Sequence, residues 1–169
     1  MSGGGIVWDE FIPPERRHGC TFWHAYNCRD QHMNPRYWKT QAGRNEPTYF
    51  DEWSTQHEAD VAIEFIRNPQ GKYRDPNKPF AVFIAPNPPH TPFDMVPKKY
   101  VDMYKGKTYK DLLNRPNVNL SKPHPQAKNH VKNYFAAVTG TDEQFGRILD
   151  VLKQEQLKDN TIVVFTADH

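Results

Sequence analysis

Two stretches of the sequence place chemically versatile side chains directly after apolar runs. His90 stands in the loop PNPPHTPF, which follows FAVFIA, and Asp168 and His169 follow TIVVFT. Carboxylate oxygens and imidazole nitrogens are both metal-ligand types, and histidine also titrates near neutrality. Asp168 and His169 are therefore candidate metal ligands and His90 is a candidate catalytic group. The alternatives are ordinary structural ones, since polar residues often end a strand and loop histidines often only hold a hydrogen bond.

Two helices with an apolar face are predicted, one before the first of these stretches and one between the two. The first begins at a capping box of Thr55 and Glu58 and ends at Asn68, and His57 in its first turn is expected to be solvated. Asp142 lies on the apolar face of the second helix, where an unpaired charge is costly, so we expect a salt bridge or a capping role for it. A shorter helix is predicted near Lys98–Tyr104. The face of the first helix consists of Ala59, Ala62, Ile63 and Ile66. The second runs from about Val131 to Gln156, and its face consists of Val131, Phe135, Val138, Phe145, Leu149 and Leu152.

Residues 80–85 and 161–166 are predicted to be strands buried on both faces, because each is a short, continuous apolar or β-branched run. Alternation of helices with such strands indicates an α/β fold with parallel strands and helices on both faces of the sheet. Ligands of such sheets gather beyond the carboxyl ends of the strands. If the two strands are neighbours, His90, Asp168 and His169 line one crevice.

Composition excludes several classes of protein. The formal net charge of +2 argues against a nucleic-acid partner, and the chain contains no run of the roughly 18–20 apolar residues that a membrane span needs. Aromatic residues make up 13% of the chain, which argues against disorder. Cys20 and Cys28 form no zinc or CxxC spacing, so their redox state stays open. Residues 1–53 are predicted to be irregular and rich in aromatic side chains, and residues 54–169 to form the αβαβ portion.

An ordered set of motifs carries a family resemblance. The segments GCTFWHAYNC, KPFAVFIAPNPPHTPF, VPKKY and YFAAVTGTDEQFGRILDVLKQEQLKDNTIVVFTADH together resemble the sulfatase family of the alkaline-phosphatase-like superfamily, from about Ile12 to His169. The resemblance implies part of an alkaline-phosphatase-like sheet with helices on both faces. It also implies hydrolysis of a sulfate ester through a formylglycine and a divalent cation, usually calcium. By position, Asp168 and His169 resemble metal ligands, and His90 resembles the histidine that contacts the sulfate.

The sequence also departs from the family pattern. Neither Cys20 nor Cys28 lies in a C-x-P-S-R-type motif, so the formylglycine is expected upstream of this segment. We therefore expect an internal fragment of a sulfatase that is inactive alone, binds calcium weakly and tends to oligomerise through exposed edges. The resemblance suggests an exported parent, periplasmic or secreted. Two alternatives stay open: a phosphoester or phosphonate hydrolase of the same superfamily, and a non-catalytic sugar-binding module.

The aromatic segment 20–38 is expected to lie close to the substrate. Its histidine and amide side chains suit a sugar, so His24, Asn27 and His32 are candidate substrate-binding residues and a sulfated small molecule or saccharide is the expected partner.

Overall fold

The structure is a computed structural model in which residues 9–122 and 124–167 are described. Three short strands, β1 (His24–Ala25), β2 (Arg36–Lys39) and β3 (Thr48–Tyr49), form an antiparallel sheet in the order β1-β2-β3. His24 pairs with Lys39 across the first ladder, and Arg36 pairs with Tyr49 across the second. The predicted Asp168 and His169 lie outside the described residues.

Within the described residues, four α-helices follow this sheet along the chain. They are α1 (Ser54–Arg67), α2 (Lys98–Met103), α3 (Tyr109–Leu112) and α4 (Pro125–Gln154), and short 3-10 turns lie at Pro14–Arg16, Pro69–Gly71 and Lys158–Asn160. Helices α1 and α2 confirm the helices predicted from sequence, and α4 begins about two turns before its predicted start. Within the described parts of the chain, no helix is both long and apolar enough to cross a membrane.

The ends of α1 and α4 follow from local chemistry. Asn68 ends α1 in the left-handed region at φ 46°, and its side-chain oxygen accepts hydrogen bonds from the backbone N–H groups of Tyr73 at 2.9 Å and Arg74 at 3.1 Å. At the other helix, Pro125 occupies the first turn of α4, where a missing N–H costs nothing, and His124 accepts from Gln126.

The predicted capping box at the start of α1 is wrong. Trp53 is the N-cap residue and caps no backbone N–H through its side chain. Glu58 instead accepts a hydrogen bond from the Tyr37 hydroxyl at 2.8 Å. A partner on the neighbouring sheet therefore replaces the local one.

The core formed by the described residues has two apolar clusters, both built between α4 and elements that precede it. In the first, Trp53 and Tyr100 pack on the small residues of α4, with ring centroids 5.6 Å apart. The second joins Ile63 and Ile66 of α1 to Val151 and Leu152 of α4. Each buried aliphatic side chain stabilises the fold by roughly 1.5–3 kcal/mol, so the second cluster fixes α1 against α4.

The buried face of α4 differs from the predicted face. Val131 and Leu152 are buried as expected, but Val138 and Leu149 are 40% and 37% exposed. Asp142 is exposed as well, so water solvates its carboxylate and no buried partner is required. The small residues Ala136, Ala137 and Gly140 face the core instead. Their size lets the rings of Trp53 and Tyr100 approach the helix backbone, which larger side chains would prevent.

The mixed α/β class is confirmed, but the prediction that residues 80–85 and 161–166 are buried strands is wrong. Most residues of both segments are exposed, with Phe83 at 94% and Ile162 at 93%. Among the described residues, neither segment pairs with a strand, and the three-stranded sheet is antiparallel. Their β-branched and aromatic side chains favour an extended backbone, but a ladder also requires a neighbouring strand.

Candidate active site

His90 lies at the end of a tight turn that starts at Asn87. The backbone N–H of His90 donates to the Asn87 carbonyl at 3.0 Å, and Pro88 and Pro89 between them restrict the backbone. Pro88 is buried, whereas the His90 side chain is 51% exposed. The turn is therefore buried at Pro88 and exposes the His90 imidazole to solvent.

Nδ1, one of the two ring nitrogens of His90, contacts polar groups of the protein. Nδ1 lies 2.8 Å from the Thr91 carbonyl oxygen and 3.5 Å from Oδ1 of Asp30. A carbonyl oxygen can only accept, so Nδ1 carries a proton in this arrangement. Nε2 is left as the nitrogen through which His90 can meet a ligand.

His32 is one of the most deeply buried polar side chains, at 1% exposure. Its imidazole Nε2 lies 3.2 Å from Nδ2 of Asn87, which also contacts the Arg29 carbonyl at 3.1 Å. The structure thus places His32 behind the His90 turn and not at its surface. Burial lowers the pKa of His32, and His90 acts in the same direction, while Asp30 opposes the effect.

His24 lies in a separate cluster with His57 against the sheet. The two Nε2 atoms are 2.8 Å apart, and Nδ1 of His57 is 2.6 Å from the Glu52 carboxylate. The expected solvation of His57 is wrong, because Glu52 supplies a polar partner and the Phe50 ring covers the imidazole at a centroid distance of 3.8 Å. Burial lowers the pKa of His24 to about 3, with His57 and Lys39 adding to the effect.

A second buried pair lies beside this cluster. Burial raises the pKa of Glu58 to about 8, and the hydrogen bond from the Tyr37 hydroxyl acts in the opposite direction. Burial and the nearby Glu58 carboxylate also raise the pKa of Tyr37. Both side chains therefore carry a proton and no charge near neutral pH, which suits their place beneath the sheet.

A cavity of about 490 Å³ opens between the sheet and α1. His24 lines it together with the aromatic side chains Phe22, Trp23 and Tyr73 and the amine of Lys39. Among the predicted substrate-binding residues, His24 lines this cavity.

Asn27 is exposed, and its backbone N–H donates to Asp9 at 3.2 Å. Asp9 also pairs with Arg36 at 2.8 Å, which fixes the backbone beneath Asn27 and leaves its amide side chain at the surface. The structure therefore brings His32 to the His90 turn, places His24 elsewhere and keeps Asn27 exposed.

Two residues of the His90 neighbourhood escaped sequence reasoning. Asp30 approaches His90 from the aromatic segment, 60 positions away in sequence, and no local pattern could reveal that contact. Asn87 lies three residues before His90 in PNPPH. Its place at the first position of a proline-bearing turn is a signal that could have identified it.

The described residues do not form a metal site. Across 9–122 and 124–167, no group of three or more His, Cys, Asp or Glu side chains could hold a metal ion. Cys20 and Cys28 are both exposed and free.

Comparisons with known proteins agree with the motifs. The sulfatase family model matches residues 17–169. An endo-4-O-sulfatase from Bacteroides thetaiotaomicron is 40% identical over 166 residues, covering 96% of this chain and 31% of the relative. An ulvan-active sulfatase from Formosa agariphila is 30% identical over 159 residues, covering 94% of this chain and 29% of the relative.

Solved structures give the same result. The crystal structure of a YidJ sulfatase from Bacteroides fragilis aligns with a TM-score of 0.80 and 38% identity, over 94% of this chain and 34% of the other. A 4S-sulfatase structure from Bacteroides thetaiotaomicron aligns with a TM-score of 0.80 and 39% identity, over 89% of this chain and 30% of the other. The chain spans about a third of the length of these relatives. It belongs to the sulfatase family.

Proposed function

We propose that the protein containing this chain hydrolyses sulfate esters of carbohydrates. The observation that carries the proposal is the 40% identity to an endo-4-O-sulfatase across 96% of this chain. The ulvan-active sulfatase is a second relative whose name refers to a polysaccharide. Both matches include the turn that presents His90, because they span nearly all of the chain.

The proposed role of His90 follows from its two nitrogens. Sulfate-ester hydrolysis cleaves the S–O bond with water, and the alcohol leaves with a proton while sulfate is released. Negative charge accumulates on the ester oxygens during this step, so a positioned N–H donor stabilises it. Nδ1 of His90 donates to the Thr91 carbonyl at 2.8 Å, so Nε2 can donate to the sulfate or to the departing oxygen when both ring nitrogens carry a proton.

The remaining chemistry is assigned to groups outside the described residues. Sulfatases generally use a formylglycine and a divalent metal. The proposal places the formylglycine in another part of the protein and makes calcium the metal, with Asp168 and His169 among its ligands. Asp168 would supply a carboxylate oxygen of the kind that calcium prefers, and two ligands alone cannot complete its shell of six to eight.

The metal assignment predicts a specific loss. In the full-length protein, Asp168→Asn should weaken calcium binding because it removes a charged oxygen ligand, whereas Asp142→Asn on the exposed face of α4 should not. Isothermal titration calorimetry with calcium measures both. Equal calcium affinity in the Asp168→Asn protein and the unmodified protein would remove Asp168 from the site.

The substrate side of the proposal uses the exposed amide of Asn27 and the cavity beside His24. The Asn27 side chain lies at the surface above a backbone held by Asp9, and amide groups suit sugar hydroxyls. Aromatic faces in the cavity, such as Trp23 and Tyr73, suit the apolar faces of a sugar ring.

Turnover of sulfated saccharides tests the function. The full-length protein should release sulfate from a 4-sulfated disaccharide, and activity confined to a simple aryl sulfate would contradict the carbohydrate assignment. His90→Asn should lower kcat by about 100-fold or more, which is the usual scale for a general acid. His18→Asn is the matched control, because His18 is exposed at φ 51° and asparagine tolerates that backbone region. Equal activity of the two variants would exclude a catalytic role for His90.

A further inference from the structure

The backbone around His32 is tied directly to the start of α1. The His32 carbonyl accepts from the Ser54 N–H at 2.8 Å, and the Asn34 N–H donates to the Glu52 carbonyl at 3.0 Å. Met33 forms a bridge with Trp53, which belongs to the first core cluster. The backbone of His32 is therefore tied to a residue of the first core cluster, and its side chain is 1% exposed, so the imidazole has little freedom to move.

The hydrogen bonds of Asn87 determine which nitrogen of His32 carries the proton. Nδ2 of Asn87 donates to the Arg29 carbonyl at 3.1 Å, because the reverse amide orientation would set two oxygens against each other. The same Nδ2 lies 3.2 Å from Nε2 of His32. An amide nitrogen cannot accept, so Nε2 of His32 must be the acceptor and the proton of the neutral ring lies on Nδ1.

The surroundings of His32 agree with a neutral ring. Burial lowers its pKa, and His90 adds to that effect, whereas the carboxylates of Asp30 and Asp94 act against it. Protonation of Nε2 would place two donors face to face across 3.2 Å, with no water to separate them at 1% exposure. The contact between His32 and Asn87 therefore depends on the neutral form.

Asn87 connects the buried His32 to His90 within a single turn. Its carbonyl accepts the His90 N–H at 3.0 Å, and Pro88, which lies between the two residues, is buried. We propose that neutral His32 fixes Asn87 and thereby sets the position of the His90 imidazole, which makes His32 and Asn87 positioning residues for the reaction. This inference rests on the proposed function, and it reassigns His32 from substrate contact to the support of the His90 turn.

The substitution Asn87→Asp tests the link in the full-length protein. A carboxylate cannot donate to the Arg29 carbonyl or to neutral His32, so the turn should shift and kcat for a 4-sulfated disaccharide should fall by about 10- to 100-fold, the scale of a misplacement of about 1 Å. Protonation of His32 would restore a donor to the new carboxylate. The loss should therefore be smallest at acid pH, and KM should change less than kcat.

Asn77→Asp is the control for this change, because Asn77 is exposed in the turn after Asp75. It should leave kcat and its pH profile unaltered. If Asn87→Asp retains the unmodified kcat, or loses the same factor at every pH along with thermal stability, the positioning role is overturned.

A spectroscopic measurement separates this inference from the proposed function. If the unmodified protein hydrolyses no sulfate ester, the proposed function fails, and ¹⁵N NMR of histidine-labelled protein still decides the inference. Nδ1 of His32 should be protonated at pH 7 with a lone pair on Nε2, and the His90 ring signals should move in Asn87→Asp but not in Asn77→Asp. A proton on Nε2 of His32, or unmoved His90 signals, would overturn it.

Discussion

Gly140 is a position at which α4 lies close to the aromatic side chains of the core, and its replacement by alanine gives a sharp test of the packing. An added Cβ would lie 2.7 Å from Cη2 and 2.9 Å from Cζ3 of Trp53, and 2.8 Å from Cε2 of Tyr100. Both rings are almost fully buried, at 2% and 1% exposure, so neither can swing aside into solvent. Gly140→Ala therefore forces a movement of the helix or of both rings.

The magnitude follows from two opposing effects. Alanine favours a helix over glycine by about 1 kcal/mol, and overpacking a core costs about 1–3 kcal/mol. Three contacts below 3.0 Å with buried rings place the cost in the upper part of that range. We expect Gly140→Ala to lower the free energy of unfolding by about 1–2 kcal/mol.

Gly146 provides a matched control within the same helix. A Cβ at Gly146 meets no atom within 4 Å, so Gly146→Ala keeps the helix gain without the clash. It should raise the free energy of unfolding by about 0.4–1 kcal/mol. Urea unfolding followed by circular dichroism measures both variants. If Gly140→Ala proves as stable as Gly146→Ala, the close packing of Trp53 and Tyr100 on α4 is refuted.

The buried titratable groups predict how stability depends on pH. The pKa of Glu58 rises from 4.5 to about 8 on folding, so its contribution is present below pH 4.5 and is lost as pH rises through 8, by about 1.4 kcal/mol per pH unit. Glu58→Gln keeps an acceptor for Tyr37 and should flatten the decline of Tm between pH 6.5 and 8. The control Glu64→Gln, on the exposed face of α1, should leave that decline unchanged. An unchanged slope in Glu58→Gln would contradict the burial of Glu58. The pKa of His24 falls from 6.5 to about 3, so its contribution is present above pH 6.5 and is lost as pH falls toward 3. His24→Gln should make the acid limb of the Tm profile shallower, and an equally steep limb would show that His24 is not buried neutral beside His57.

The helices show how much local sequence can predict. The 3.6-residue periodicity of α1 and the turn residue Asn68 at its end involve interactions within a few positions, and both are found in the structure. The capping box failed because Glu58 had a stronger partner in Tyr37, 21 residues earlier. Local signals are reliable where no distant group competes with them.

The candidate site shows the same division. The proline-rich turn around His90 was evident in PNPPHTPF, because prolines restrict the backbone regardless of context. The burial of His32 and its contact with Asn87, 55 positions away, were not evident. Histidine has no strong preference for surface or core, so its environment depends on which segments meet.

The sequence by itself determined the principal helices, the turn that carries His90 and the motifs that identify a sulfatase, because each of these depends on neighbours along the chain. Only the tertiary structure decided which face of α4 is buried, since Gly140 faces the core when Trp53 and Tyr100 arrive from distant segments. It also decided that most residues of the apolar runs 80–85 and 161–166 remain exposed in the described structure. Close packing and strand pairing need a specific partner, and no single stretch of sequence can specify what will lie against it.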